Sequence, residues 1–110
     1  MKPTDFAFYL TNFFVKYLPV ECGASTNTVS SYRDTFLLFV AYVRDEKGKA
    51  VERLQLKDID KNLITDFLDW IETNRKCSIP TRNVRLTAIH SFFQYLQYEY
   101  PDFLLEWQKI

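Results

Sequence analysis

Chain-breaking residues are scarce in this sequence. Two glycines, Gly23 and Gly48, and four prolines, Pro3, Pro19, Pro80 and Pro101, are spread over 110 residues. Their intervals suit long helices joined by short connections. Between them apolar residues recur at helical spacing, and no competing strand pattern, internal repeat or low-complexity tract is found. Hydrophobic residues make up 47% of the chain and aromatics 17%, enough to bury a core. The expected architecture is all-α: a bundle of four main helices plus a short C-terminal helix, forming one domain over residues 1–110.

Phe6, Leu10, Phe13, Phe14 and Tyr17 define a first helix from about Asp5 to Leu18. Thr4 or Asp5 caps it and Pro19 is expected to stop it. An extended, polar link, Val20 to Ser25, follows. Ser25 caps a second helix whose stripe is Val29, Tyr32, Phe36, Val40 and Val43, with Phe39 at its edge and Gly48 at its end. Residues 49–59 read as a loop that tucks Leu54, Leu56 and Ile59 onto the core. Asp60 caps a third helix that buries Ile64, Phe67, Leu68 and Ile71 and turns Asp66, Asp69 and Glu72 to solvent. Ser78 caps a fourth, with Pro80 in the first turn, where its missing N–H costs nothing. Leu86, Ile89, Phe93 and Leu96 form its stripe, and the small opposite face of Val84, Ala88 and Ser91 suits a central helix. Pro101 ends it, and Asp102 opens a short fifth helix through Phe103, Leu104 and Trp107.

Several function classes are excluded. No apolar run approaches the ~20 residues of a membrane span. Thr11, Asn12 and Lys16 interrupt what would have to be a signal peptide, and no small-residue cleavage site follows. Cys22 and Cys77 are solitary, so a reduced, cytoplasmic protein is expected. His90 is the single histidine and has no nucleophile–base signature beside it. The carboxylates of the third helix read as a solubilising stripe, and the two isolated glycines form no phosphate-cradling loop. No catalytic residue, metal, cofactor or small-molecule ligand is expected, and this stretch of chain is not read as an enzyme.

Charge is informative through its distribution. Lys plus Arg equals Asp plus Glu at 14 each, so net charge is zero. Residues 45–72 nevertheless carry eight acids, whereas 73–98 carry Arg75, Lys76, Arg82 and Arg85 and no acid, and Cys22 to Arg33 is acid-free as well. Both acid-free stretches open helices. The first reads Ser25-Thr26-Asn27-Thr28-Val29-Ser30-Ser31-Tyr32-Arg33, the second Ser78-Ile79-Pro80-Thr81-Arg82-Asn83-Val84-Arg85-Leu86. A helix N-terminus presents unpaired N–H groups and the positive end of the macrodipole. Hydroxyls, amides and arginines beside it are the groups that bind phosphate oxygens, and Asn and Arg also reach base edges. Capping alone accounts for one serine at each start; it does not account for polar residues continuing through two further turns.

Ser25 to Phe39 resembles the Ser/Thr-capped helix of the tyrosine recombinases (phage integrases, Xer-type recombinases and transposon-borne relatives). Leu56 to Ile71 and Ser78 to Leu96 resemble the third and the last long helix of the same amino-terminal domain, in the same order. The resemblance covers nearly the whole chain. It implies a core-binding, SAM-like bundle that closes around double-stranded DNA with a catalytic domain, and that helps hold recombinase subunits in a synapse. It implies DNA contacts from Thr26, Asn27, Thr28, Ser31 and Arg33 in the second helix and from Thr81, Arg82, Asn83 and Arg85 in the fourth, with His90 as a further candidate. Catalysis in that family uses arginines, a lysine, a His-x-x-Arg motif and a nucleophilic tyrosine of the following domain. Here Phe93 stands three places after His90, so that motif is absent. The chain ends without a Pro/Gly-rich or charged tail, as expected where a longer polypeptide continues. Zero net charge predicts feeble DNA binding by this stretch alone. The rival expectation is a protein-interaction module that docks a partner through Trp70, Phe103 and Trp107.

Overall fold

A computed structural model describes residues 4–74 and 78–99. The expectations for Arg75, Lys76 and Cys77, and for Pro101 and the short fifth helix with Phe103, Leu104 and Trp107, lie outside the described residues. The fold is all-α. Its long helices are α1 (Asp5–Asn12), α2 (Thr26–Lys47), α3 (Lys61–Asn74) and α4 (Ile79–Glu99), and the described residues contain no strand. The chain divides into two compact units, Met1–Asp58 and Ile59–Ile110.

In the first unit, Thr4 caps α1: its Oγ1 accepts the Ala7 N–H at 3.2 Å. The helix does not stop before Pro19. From Phe13 to Glu21 it continues with wider π-type turns that carry Pro19 inside, closing with the Cys22 N–H on the Tyr17 carbonyl at 2.8 Å. In a regular α-helix the proline ring collides with the carbonyl four residues back. A wider turn relieves that collision, and the missing N–H then forfeits a single bond. Gly23, at φ 61°, makes the turn into α2.

The buried face of α2 is Thr35, Phe36, Phe39, Tyr42 and Val43. The expected stripe is therefore rotated: Phe39 (1% exposed) is central, whereas Val29, Tyr32 and Val40 are half-buried. Thr35 is tolerated in the core because its hydroxyl donates to the Ser31 carbonyl at 3.3 Å. Phe39 faces Phe6 with ring centroids 6.4 Å apart, and Phe36 meets Phe13 at 6.3 Å and Phe14 at 5.8 Å, tilted or edge-on as ring quadrupoles prefer. Gly48 ends α2 in the left-handed region (φ 69°, ψ 23°), where its N–H and that of Lys49 both turn back to the Val43 carbonyl. The following link forms two single 3-10 turns, Val51–Arg53 and Leu56–Asp58. Leu54, Leu56 and, at the start of the second unit, Ile59 are buried as expected. Asp5 fastens this link. Its Oδ1 accepts the Phe6 N–H at 2.7 Å and the Leu56 N–H at 2.9 Å.

In the second unit, Asp60 caps α3 by accepting the Leu63 N–H at 2.8 Å. The buried face is Ile64, Phe67, Leu68 and Ile71, as the spacing predicts. The α4 helix buries Ala88, Ile89, Phe92, Phe93, Tyr95 and Leu96. Ala88 is fully buried, while Val84, expected with it on a small inner face, is 45% exposed.

Candidate nucleic-acid interface

The two acid-free helix starts are built alike. At α2, Ser25 Oγ accepts the Thr28 N–H at 3.1 Å, and its hydroxyl donates to Thr28 Oγ1 at 3.0 Å. At α4, Ser78 Oγ accepts the Thr81 N–H at 3.3 Å and donates to Thr81 Oγ1 at 3.0 Å. In the usual capping box, Glu or Gln occupies the place that Thr28 and Thr81 hold. Neither α2 nor α4 has an acid in its first turn. The other two starts differ: α1 carries Asp5 in its first turn, and α3 is capped by Asp60. The positive ends of α2 and α4 are thus left without a neutralising carboxylate of their own.

At α2, Thr26 and Asn27 are exposed and Thr28 is half-buried. By helix geometry the N–H groups of Thr26 and Asn27 precede the first intrahelical acceptor, so two donors face outward beside two polar side chains. Arg33 is exposed and returns to the Thr26 side two turns later, about 10 Å along the axis. Ser31 sits one turn beyond Asn27, half-buried, with its carbonyl occupied by Thr35.

The α4 start offers less backbone, because Pro80 has no N–H. Thr81, Asn83 and His90 are exposed. Asn83 and His90 share one outward line with Val84, Thr87 and Gln94, which are also exposed and which are not among the residues expected to bind. Their three- and four-residue spacing is the signal that could have found them. The two arginines lie off that line and are half-buried. Arg82 is drawn toward α3, with Nη2 at 3.6 Å from Asp69 Oδ1 and Nε at 3.6 Å from Glu72 Oε1. Of the α3 acids expected to face solvent, Asp66 and Asp69 are exposed, whereas Glu72 is half-buried, and Asp69 and Glu72 both reach Arg82. Among other cations, Arg44 pairs with Asp45 at 2.9 Å and Lys49 with Asp58 at 3.2 Å. Asp45 raises the Arg44 pKa through its hydrogen bond and its charge.

No cluster of metal-ligating side chains occurs among the described residues, and no described helix is long and apolar enough to cross a membrane. Cys22 is exposed and unbridged. Trp70, the one aromatic of the rival docking expectation that is described, is half-buried.

Comparison with known proteins gives a consistent assignment. A protein of Sinorhizobium fredii named integrase/recombinase y4rC is 39% identical over 109 residues, covering 99% of this chain and 33% of its own length. A second from the same organism, named integrase/recombinase y4rD, is 36% identical over 87 residues, 79% of this chain and 31% of its own length. The tyrosine recombinase XerC of Caldanaerobacter subterraneus subsp. tengcongensis is 23% identical over 96 residues, 76% of this chain and 27% of its own length. The chain thus spans about a third of the length of the relatives it matches. No solved structure gives a significant match. The phage integrase N-terminal SAM-like domain matches residues 12–99, and the chain belongs to that family.

Proposed function

We propose that this chain is the DNA-gripping domain of a site-specific recombinase. It holds double-stranded DNA at the arm of a recombination site, and the remainder of a longer polypeptide cleaves and rejoins strands through a tyrosine. The observation that carries the reading is the division of the four helix starts among the described residues. Those of α2 and α4 carry no carboxylate and are rimmed with amides, hydroxyls and arginine; those of α1, capped by Thr4, and α3 carry Asp5 and Asp60. Phosphate oxygens are attracted to the first kind and repelled by the second.

Thr26, Asn27 and Thr28 with the outward N–H groups form the α2 contact, and Arg33 reaches the next phosphate along. Ser31 supports that contact from the following turn. At α4, Thr81 and Arg85 lie near the backbone, while Asn83 and His90 are the side chains suited to base edges. Arg82 joins them when released from α3. Other recombinase subunits are the protein partners, and the cytoplasm is the compartment. A chain of zero net charge makes few phosphate contacts, so alone it binds with a dissociation constant no better than ~10⁻⁴–10⁻⁶ M.

An NMR titration of the isotopically labelled chain with a short duplex tests this. Shifts should cluster at residues 25–33 and 78–90 and fade as salt is added. Shifts confined to α3, or no shifts at low salt, would overturn the reading in favour of a protein-docking module.

A further inference from the structure

Arg82 is a candidate contact whose cation is already engaged by α3. Its side chain is 26% exposed, against 63% for Asp69 and 38% for Glu72. Both approaches are 3.6 Å, beyond a good N–H···O bond. Nε is buried and has no hydrogen-bond partner. The guanidinium is therefore held by two carboxylates through their field and not through formed bonds. A buried charged donor without an acceptor is costly, and a charge-assisted bond to a phosphate oxygen relieves it. Asp69 and Glu72 stand three apart on α3, and their charges exceed that of Arg82. A phosphate nearing the α4 start meets a cation already compensated.

We infer that Asp69 and Glu72 act as internal stand-ins for phosphate, and that they set the strength and salt dependence of DNA binding by competing with DNA for Arg82. This rests on the DNA-binding reading above and goes beyond it. It assigns the acids of α3 to attenuation of affinity, a role that a solubilising surface would not have. When DNA is present, the guanidinium exchanges two distant carboxylates for one phosphate, and Nε acquires an acceptor.

Fluorescence anisotropy with a labelled duplex, from low to physiological salt, tests it on four proteins: the parent chain, Asp69→Asn/Glu72→Gln, Arg82→Ala and the triple variant. The amide pair keeps size and removes charge. It should tighten binding about tenfold at low salt. The slope of log K against log salt should also steepen by about one, because Arg82 then neutralises one more phosphate. With Arg82→Ala in place, the amide pair should change affinity less than about threefold and leave the slope alone. Equal tightening with and without Arg82 would overturn the inference, because a general charge field would then suffice. Unchanged or weaker binding by the amide pair would also overturn it. Each single amide variant should give part of the effect, which keeps the test decisive should the pair fail to fold. If the parent binds and the amide pair does not differ, this inference alone falls. If none of the proteins binds duplex at low salt, the DNA-binding reading falls and takes the inference with it.

Discussion

Replacing Asp5 with alanine should destabilise the first unit out of proportion to the position's place near the chain start. The Oδ1 atom accepts two backbone N–H groups, from Phe6 at 2.7 Å and from Leu56 at 2.9 Å. The second bond joins residues fifty-one positions apart, beside side chains that are 0% (Phe6) and 1% (Leu56) exposed. A hydrogen bond to a charged acceptor contributes about 1.5–3 kcal/mol. An acid in the first turn of a helix adds about 0.3–1 kcal/mol. Asp5→Ala should therefore cost about 3 kcal/mol, and Asp5→Asn, which keeps an acceptor but not the charge, about half of that. Urea unfolding followed by circular dichroism reads the loss. With a slope of roughly 1–2 kcal/mol/M, the midpoint should fall by about 2 M. Amide hydrogen exchange supplies the local readout, since the Leu56 N–H should lose protection in Asp5→Ala before the α3 amides do. A loss under about 0.5 kcal/mol, or unchanged protection at Leu56, would refute the argument that this carboxylate ties the link to α1.

Three further outcomes are expected. Phe39→Ala should cost about 3–5 kcal/mol in urea unfolding, whereas Val40→Ala should cost less than about 1.5, because Phe39 and not its neighbour is fully buried. Gly48→Ala should cost about 1 kcal/mol from its φ of 69° alone, since no atom lies within 4 Å of the added methyl; no measurable loss would mean the α2 terminus relaxes. At Asp58, burial pushes the carboxyl pKa up, but the Gln55 N–H and the Lys49 and Lys57 ammonium groups outweigh it, leaving the pKa below its ordinary 3.8. A lowered folded pKa contributes stability that is present above pH 3.8 and lost as pH falls through the folded value. Asp58→Asn should therefore be about 1 kcal/mol less stable than the parent at pH 7, with the gap narrowing below pH 4; a gap that persists to pH 2 would contradict the cause assigned.

What the sequence discloses is local. Thr4, Ser25, Asp60 and Ser78 each cap the helix they precede, and Gly48 ends α2, because caps and left-handed turns depend on a few adjacent residues. The buried face of α3 follows from spacing because its polar and apolar residues separate cleanly. The departures are of other kinds. Pro19 reads as a stop only under a rule that assumes α-helical turns, and the π-type turns escape it. The α2 face is rotated because Thr35 and Tyr42 carry polar atoms that packing accommodates and spacing cannot anticipate. The Asp5–Leu56 and Arg82–Asp69–Glu72 contacts join residues distant in sequence, so a single-helix projection puts their acids in water.

The division of helix starts supports a stricter test than removing a contact, because it separates capping from charge. Ser and Asp cap helices almost equally well, so stability does not choose between them. The chain uses Asp60 before α3 and serines before α2 and α4. If the serines are there only to cap, Ser25→Asp and Ser78→Asp should leave DNA binding unchanged. If they keep a positive end open to phosphate, the same substitutions should preserve or slightly raise stability while weakening DNA binding. The stability change should lie within about 1 kcal/mol in the favourable direction, since an added carboxylate suits the dipole. A carboxylate about 5 Å from a phosphate is repelled by roughly 1–3 kcal/mol, between the limits of water and a protein surface. Each variant should thus lose about tenfold or more in affinity at low salt, and the loss should shrink as salt is added. Thermal unfolding and duplex titration of the same samples decide the matter. Variants that keep both their melting temperature and their affinity would show that these serines only cap.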